Sequence, residues 1–205
     1  MNTAMIGAQK ASYEELLGKM HVVLLPAGRN QAMLALIPHK PMADLAAVFV
    51  DGEGKAVTNK DLQDLGISIE QFEKDALDAA SKNCPGEMLT IEEALKLIDP
   101  DFPMDEGPAE WQLFVASNKE RNYGAGVIAY PGFLDRAAEK LGGDFFVIPS
   151  SIHEVLFLRK LETVTAADLD EIVHGVNATE LKPNEVLSDH VYQYDRKTKS
   201  FEIAI

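Results

Sequence analysis

Ser150, Ser151, His153 and Glu154 lie within a single turn-like stretch, PSSIHE, of a 205-residue chain. A hydroxyl, an imidazole and a carboxylate are the parts of a nucleophile–base–orienter relay, so Ser151, His153 and Glu154 are the candidate catalytic set. Such a relay needs its side chains to converge, and on extended backbone successive side chains point to opposite faces. Ser151 and His153 would share a face while Glu154 points away. No Gly-x-Ser-x-Gly turn is present to expose a serine. The same residues also fit a structural role, with the serine hydroxyls accepting from nearby amides and His153 and Glu154 tying strands together.

The rest of the chemistry-bearing inventory is sparse. The histidines (His21, His39, His153, His174 and His190) are scattered, without a His-Glu-x-x-His pattern, so no metal is expected. His39 with Asp44 and His190 with Asp189 are pairs that only the fold could bring together. Gly124-Ala-Gly126 and Gly142-Gly143 lack both the Walker lysine and the three-glycine dinucleotide spacing, and no cofactor is expected. Cys84 is the only cysteine, which excludes an intrachain disulfide, and no nearby base suggests an activated thiol. Tyr192, Tyr194 and Phe201 lack the basic groove of a nucleic-acid stacking surface and read as core.

Charge is the second signal. The formal net charge is −14, and residues 51–110 hold 16 acids against 5 lysines, so −11 of it sits in the middle of the chain. A surface of this kind repels nucleic acid and attracts cations, so direct nucleic-acid binding is not expected and a basic protein partner is. Glu70, Glu73, Asp75, Asp78, Glu92, Glu93, Asp101, Asp105 and Glu106 are the candidate partner-binding residues. A solvated, solubilising face is the plainer reading of the same residues. No apolar run approaches the ~20 residues that cross a bilayer, and the N-terminal segment lacks a signal-peptide core, so a cytoplasmic protein without membrane association is expected.

These residues must be positioned by recognisable elements. Ser12 to Glu15, Ser68 with Gln71, Thr90 with Glu93, and Thr165 with Asp168 are helix-start signatures. Asn59 is expected to cap a short helix ending near Gly66. Phe72, Ala76 and Ala79/Ala80 give one apolar stripe; Phe133, Leu134, Ala137, Ala138 and Leu141 give another, stopped by Gly142. Strands are expected at 21–25, 45–50, 111–116, 125–130, 145–148 and 155–158, with a hairpin joining 45–50 to 56–58 and another made from 190–194 and 201–205. Gly124 and Gly126 mark a bulge or a close backbone approach. The fold class is therefore α+β, a mainly antiparallel sheet with helices on one face plus an acidic helical region. The chain divides into residues 1–98, acidic from 51, a Pro- and acid-rich loop or linker over 99–110, and an α+β core over 111–205.

The segments IPHKPMADLAAVF (37–49), YPGFLDRAAEKLGGDFFVIPSSIHEVLFL (130–158), VNATE (176–180) and LSDHVYQYD (187–195) together resemble the uncharacterised bacterial family called domain of unknown function 5688. The resemblance runs from about Ala32 onward, leaving the first thirty residues private to this chain. Family members usually carry Thr-Pro where this chain has Cys84-Pro85, so no role carries over to Cys84. No established activity accompanies the family; the resemblance implies an origin in bacteria rich in integrated mobile elements.

Two functions remain. One is an acidic interaction protein, such as a mobile-element-encoded inhibitor (anti-CRISPR or antirestriction) that occupies the basic groove of a host nuclease. The other is a small hydrolase or ligand-binding enzyme centred on Ser151, His153 and Glu154.

Overall fold

The first sheet is built around Leu45–Val50 (β3), whose two edges are taken by His21–Pro26 (β1) and His39–Met42 (β2), both antiparallel. The computed structural model describes residues 12–102 and 112–205. Because β3 already pairs on both sides, the expected hairpin with 56–58 reduces to one bridge, Val50 to Ala56. Asp51 closes that loop instead, its Oδ1 accepting from the amides of Glu53 and Lys55 at 2.9 Å each. The strand β2, not foreseen, is a short edge strand that tolerates Pro41.

Helices follow their caps. Residues 12–17 form α1 and Gln31–Leu34 form α2. Thr58, one residue before the expected Asn59, caps α3 (Asn59–Leu65) through a box with Asp61, and Gly66 ends it at φ 71°. Ser68 caps α4 (Ile69–Asn83), which buries Phe72, Ala76, Leu77 and Ala80. Phe72 meets Phe49 of β3 edge-on, ring centroids 5.2 Å apart. Thr90 and Glu93 box the start of α5 (Ile91–Ile98).

The second sheet has six antiparallel strands: Gly86–Thr90 (β4), Leu113–Asn118 (β5), Phe145–Pro149 (β6), Val155–Arg159 (β7), Tyr192–Asp195 (β8) and Ser200–Ile203 (β9), in the order β4-β5-β7-β6-β8-β9. β4 lies before the proline-rich run and pairs with β5 after it, Gly86 opposite Asn118. Of that run, Asp99 to Phe102 make a turn, Phe102 N–H donating to Asp99 O at 3.0 Å; residues 103–110 lie outside the described residues.

The α+β class holds, with antiparallel sheets throughout. Strand alternation distributes the core: Phe145 and Val147 face the cluster shared with the first sheet and with α6 (Phe133–Leu141), while Phe146 and Ile148 face α7 (Ala166–Thr179). One placement differs from expectation, since α7 covers the face opposite α6. The expected strand 125–130 is a wholly buried 3-10 segment, Gly124–Ala129, wedged between β1 and β5. A side chain at Gly126 would run into the Val22 carbonyl, so the glycine is required by close approach. Among the described residues no helix is long and apolar enough to cross a membrane.

Candidate functional site

The PSSIHE turn links β6 to β7, and the Ser151 hydroxyl and His153 Nδ1 are both spent on backbone amides. Ser151 Oγ accepts from the His153 amide at 3.0 Å, and Ser151 N–H donates to the Glu154 carbonyl at 3.1 Å. Ile152 between them is buried, its amide bonded to the Glu185 carbonyl at 3.0 Å. Sinking Ile152 turns His153 outward, where Nδ1 accepts from the Tyr123 amide at 3.1 Å. In that bond Nδ1 is the acceptor, so it is not free to take a proton from a serine.

The His153 carbonyl in turn accepts from Ser117 Oγ at 2.8 Å. This packing is why residue 124 is glycine: a Cβ there would lie 2.6 Å from the His153 carbonyl oxygen and 2.7 Å from the Asn118 amide. The loop between β5 and Gly124 is held by reciprocal bonds of Asn118 with Asn122, at 2.8 and 3.2 Å. Arg121 and Tyr123 both sit at φ 51°, a left-handed conformation that costs non-glycine residues on the order of 1–3 kcal/mol and persists only where surrounding contacts fix it. The Tyr123 and His153 rings are 5.5 Å apart, tilted by 38°.

The Glu154 side chain takes no part in this. Its Oε2 is 3.9 Å from Arg121 Nη1, and Arg121 Nη2 is 3.6 Å from Glu87 Oε1, long and partly exposed pairs of the kind worth about 0–1 kcal/mol. Ser151, His153 and Glu154 are thus neighbours whose side chains have separate partners, and no Ser–His or His–Glu side-chain bond joins them among the described residues. The cleft beside the loop, about 450 Å³, is lined by His21, Asp51, Glu53, Asn118, Glu120 and Tyr123, not by the three candidates.

The nominated acids divide by what they already do. Glu93 is used in the α5 capping box, and Asp75 accepts from Tyr13 at 3.1 Å and from Gln71 at 2.8 Å. Glu73 is half-buried, and burial raises its carboxyl above the usual range although His39 and Lys40 oppose the shift. Glu92 is half-buried, and its Oε2 has no hydrogen-bond partner among the described residues. Glu70 and Asp101 are exposed and Asp78 half-exposed, while Asp105 and Glu106 lie outside the described residues. Among the described residues no three His, Cys, Asp or Glu side chains group in a way that would hold a metal. Cys84 is buried, which pushes its thiol up, away from nucleophilic character.

A third cluster joins segments far apart in the sequence. Asp44, after β2, receives the Tyr192 hydroxyl on Oδ1 at 2.6 Å and the Ser188 hydroxyl on Oδ2 at 3.3 Å. The Asn177 side chain donates to the Ser188 carbonyl at 2.9 Å and to Asp189 at 2.8 Å. Asp44 meets these partners, not His39, whose Nδ1 lies 3.1 Å from the Ile37 carbonyl. The signal was present: IPHKPMAD, VNATE and LSDHVYQYD are the segments that carry the family resemblance, and here they touch.

The two antiparallel sheets and the buried 3-10 segment between them define an α+β protein, in whose PSSIHE turn Ser151, His153 and Glu154 are not joined by side-chain bonds among the described residues. It belongs to the family of unknown function DUF5688, whose model matches residues 3–196. The match starts well before Ala32, so the first thirty residues are not private to this chain. No curated protein and no solved structure matches it.

Proposed function

We propose that the protein is a non-enzymatic interaction protein whose acidic surface receives a basic protein partner, and that the partner is a nucleic-acid-acting protein whose basic groove the acids occupy in place of phosphates. The observation that carries the reading is the gathering of acids from distant segments: Asp51 and Glu53 after β3 line the same 450 Å³ cleft as Glu120 after β5. Glu70 and Asp78 on α4 add acids that make no side-chain hydrogen bond or ion pair among the described residues. Like charges brought together raise the local potential, which steers a cationic partner and orders its approach. Hydrolysis at Ser151, His153 and Glu154, the alternative, has no convergence of those side chains behind it.

The test is capture of partners by the tagged chain from bacterial lysate at low and moderate salt, with mass spectrometry of what is retained. The reading expects a DNA- or RNA-acting protein that is lost as salt rises and displaced by added duplex DNA. Retention that neither salt nor DNA reduces contradicts it.

A further inference from the structure

The junction between the two sheets holds a cleft of opposite character. It is about 360 Å³, within the size range of small-ligand sites, and lies where β2, the start of α6 and the β8–β9 hairpin meet. Its walls include Met42, Ile128, Leu134 and Phe201, the first three under a tenth exposed. Its charged groups are Lys40, Asp135 and Lys199.

Asp135 is fully matched. It accepts from the Tyr194 hydroxyl at 2.7 Å and from Lys199 Nζ at 3.0 Å, and these two bonds hold its carboxyl below the usual carboxylate range. The Asp135–Lys199 pair is therefore neutral as a unit. The Lys40 side chain makes no ion pair or hydrogen bond among the described residues; its charge acts through space on the half-buried Glu73. A chain of net charge −14 thus presents, in this cleft, one ammonium whose side chain has no ion pair or hydrogen bond among the described residues, beside walls of mixed polar and apolar character. Lys199 keeps further N–H donors beyond the one given to Asp135.

We propose that this cleft binds a small organic anion, a carboxylate carried on a short apolar body, with Lys40 receiving the head group and Met42, Ile128, Leu134 and Phe201 the body. The body needs only a few carbons, each buried methylene contributing about 0.8 kcal/mol. A cationic ligand of the same shape is repelled by Lys40, and a neutral one leaves that ammonium without a partner. This site is independent of the acidic surface, and either can fail without the other.

The experiment is a methyl- and amide-detected NMR titration of the full chain with hexanoate, hexan-1-ol and hexylammonium. Hexanoate is expected to shift the methyl signals of Met42, Ile128 and Leu134 saturably. Hexanol should bind about tenfold more weakly and hexylammonium not measurably. In Lys40→Gln, which keeps a polar side chain and removes the charge, hexanoate affinity should fall by about the same factor, with the fold checked by the unperturbed amide spectrum. Shifts that do not saturate, that spread away from these residues, that match for hexanoate and hexylammonium, or that persist unchanged in Lys40→Gln overturn the proposal.

Discussion

The Tyr192 hydroxyl donates to Asp44 Oδ1 at 2.6 Å, joining the second sheet to the turn between β2 and β3 of the first. Tyr192 is 1% exposed, so its hydroxyl has no access to bulk water, and the bond to a carboxylate is of the short, charge-assisted kind. Ser188 adds a second donor to the same carboxylate at 3.3 Å, and the His190 amide bonds Ser188 Oγ at 3.0 Å. The two sheets are therefore fastened by a polar contact at the margin of a shared apolar core.

Tyr192→Phe removes the donor and leaves Asp44 with Ser188. The expected loss is about 1.5–3 kcal/mol, the range for hydrogen bonds to charged groups. In a chain of this size it corresponds to a melting temperature lower by roughly 3–12 °C. Asp44→Ala should cost more, because it strands both the Tyr192 and Ser188 hydroxyls. Urea unfolding of the three proteins checks the order.

Alkaline stability follows from the tyrosines. Burial raises Tyr13, Tyr130 and Tyr192 above the usual tyrosine range, and burial with the neighbouring Asp135 carboxylate pushes Tyr194 up to about 12. Below pH ~10 both folded and unfolded states keep these protons, and the stabilisation is intact. As pH rises from there toward 12 the unfolded chain ionises first, so stability falls. Absorbance at 295 nm should show these four ionising together with loss of circular dichroism. Ionisation of these four near pH 10 with the fold retained, read in Tyr123→Phe so that the exposed tyrosine adds no signal, would contradict the burial assigned to them.

Gly126→Ala should be poorly tolerated. Its Cβ meets the Val22 carbonyl, a backbone group that cannot rotate away, and overpacking of this kind costs about 1–3 kcal/mol or more. Soluble yield and thermal unfolding report it. Gly28→Ala, where a Cβ meets nothing within 4 Å, is the control and should behave as wild type.

His153 is expected to matter for order in the 118–124 loop. His153→Ala deletes the acceptor for the Tyr123 amide, worth about 0.5–1.5 kcal/mol, so exchange of that amide should quicken roughly threefold to tenfold. His153→Asn, which places an oxygen near the same position, should recover part of the protection. Hydrogen–deuterium exchange resolved to Tyr123 distinguishes the variants.

What the sequence disclosed and concealed has physical reasons. The helix caps at Ser68, Thr90 and Thr165, and the stripe of Phe72, Ala76 and Ala80, are local signals spread over a few residues, and they appear where expected. The strands β2 and β4 are short, and half of their residues or more are only partly buried, so they exist because β3 and β5 offer them an edge, which no local pattern shows. The 3-10 segment reads as a strand because Ala125 to Ala129 are apolar, but Gly124 and Gly126 let it press against Val22 and His153 in a way no strand could. The Asp44–Tyr192 bond spans 148 residues, a distance over which only the fold, or the shared family motifs, could connect them.

The acidic surface is the central claim, and a salt-dependent binding isotherm with the captured partner tests it most directly. The wild type, Glu70→Lys/Asp78→Lys and His153→Ala would be measured side by side. The account predicts that affinity falls steeply with salt, that the double charge reversal weakens binding about tenfold or more at low salt and flattens the salt slope, and that His153→Ala, which only loosens the loop bearing Glu120, keeps the salt slope and weakens binding by less than the reversal does. Affinity indifferent to salt and to the reversal, or lost only in His153→Ala, would contradict it.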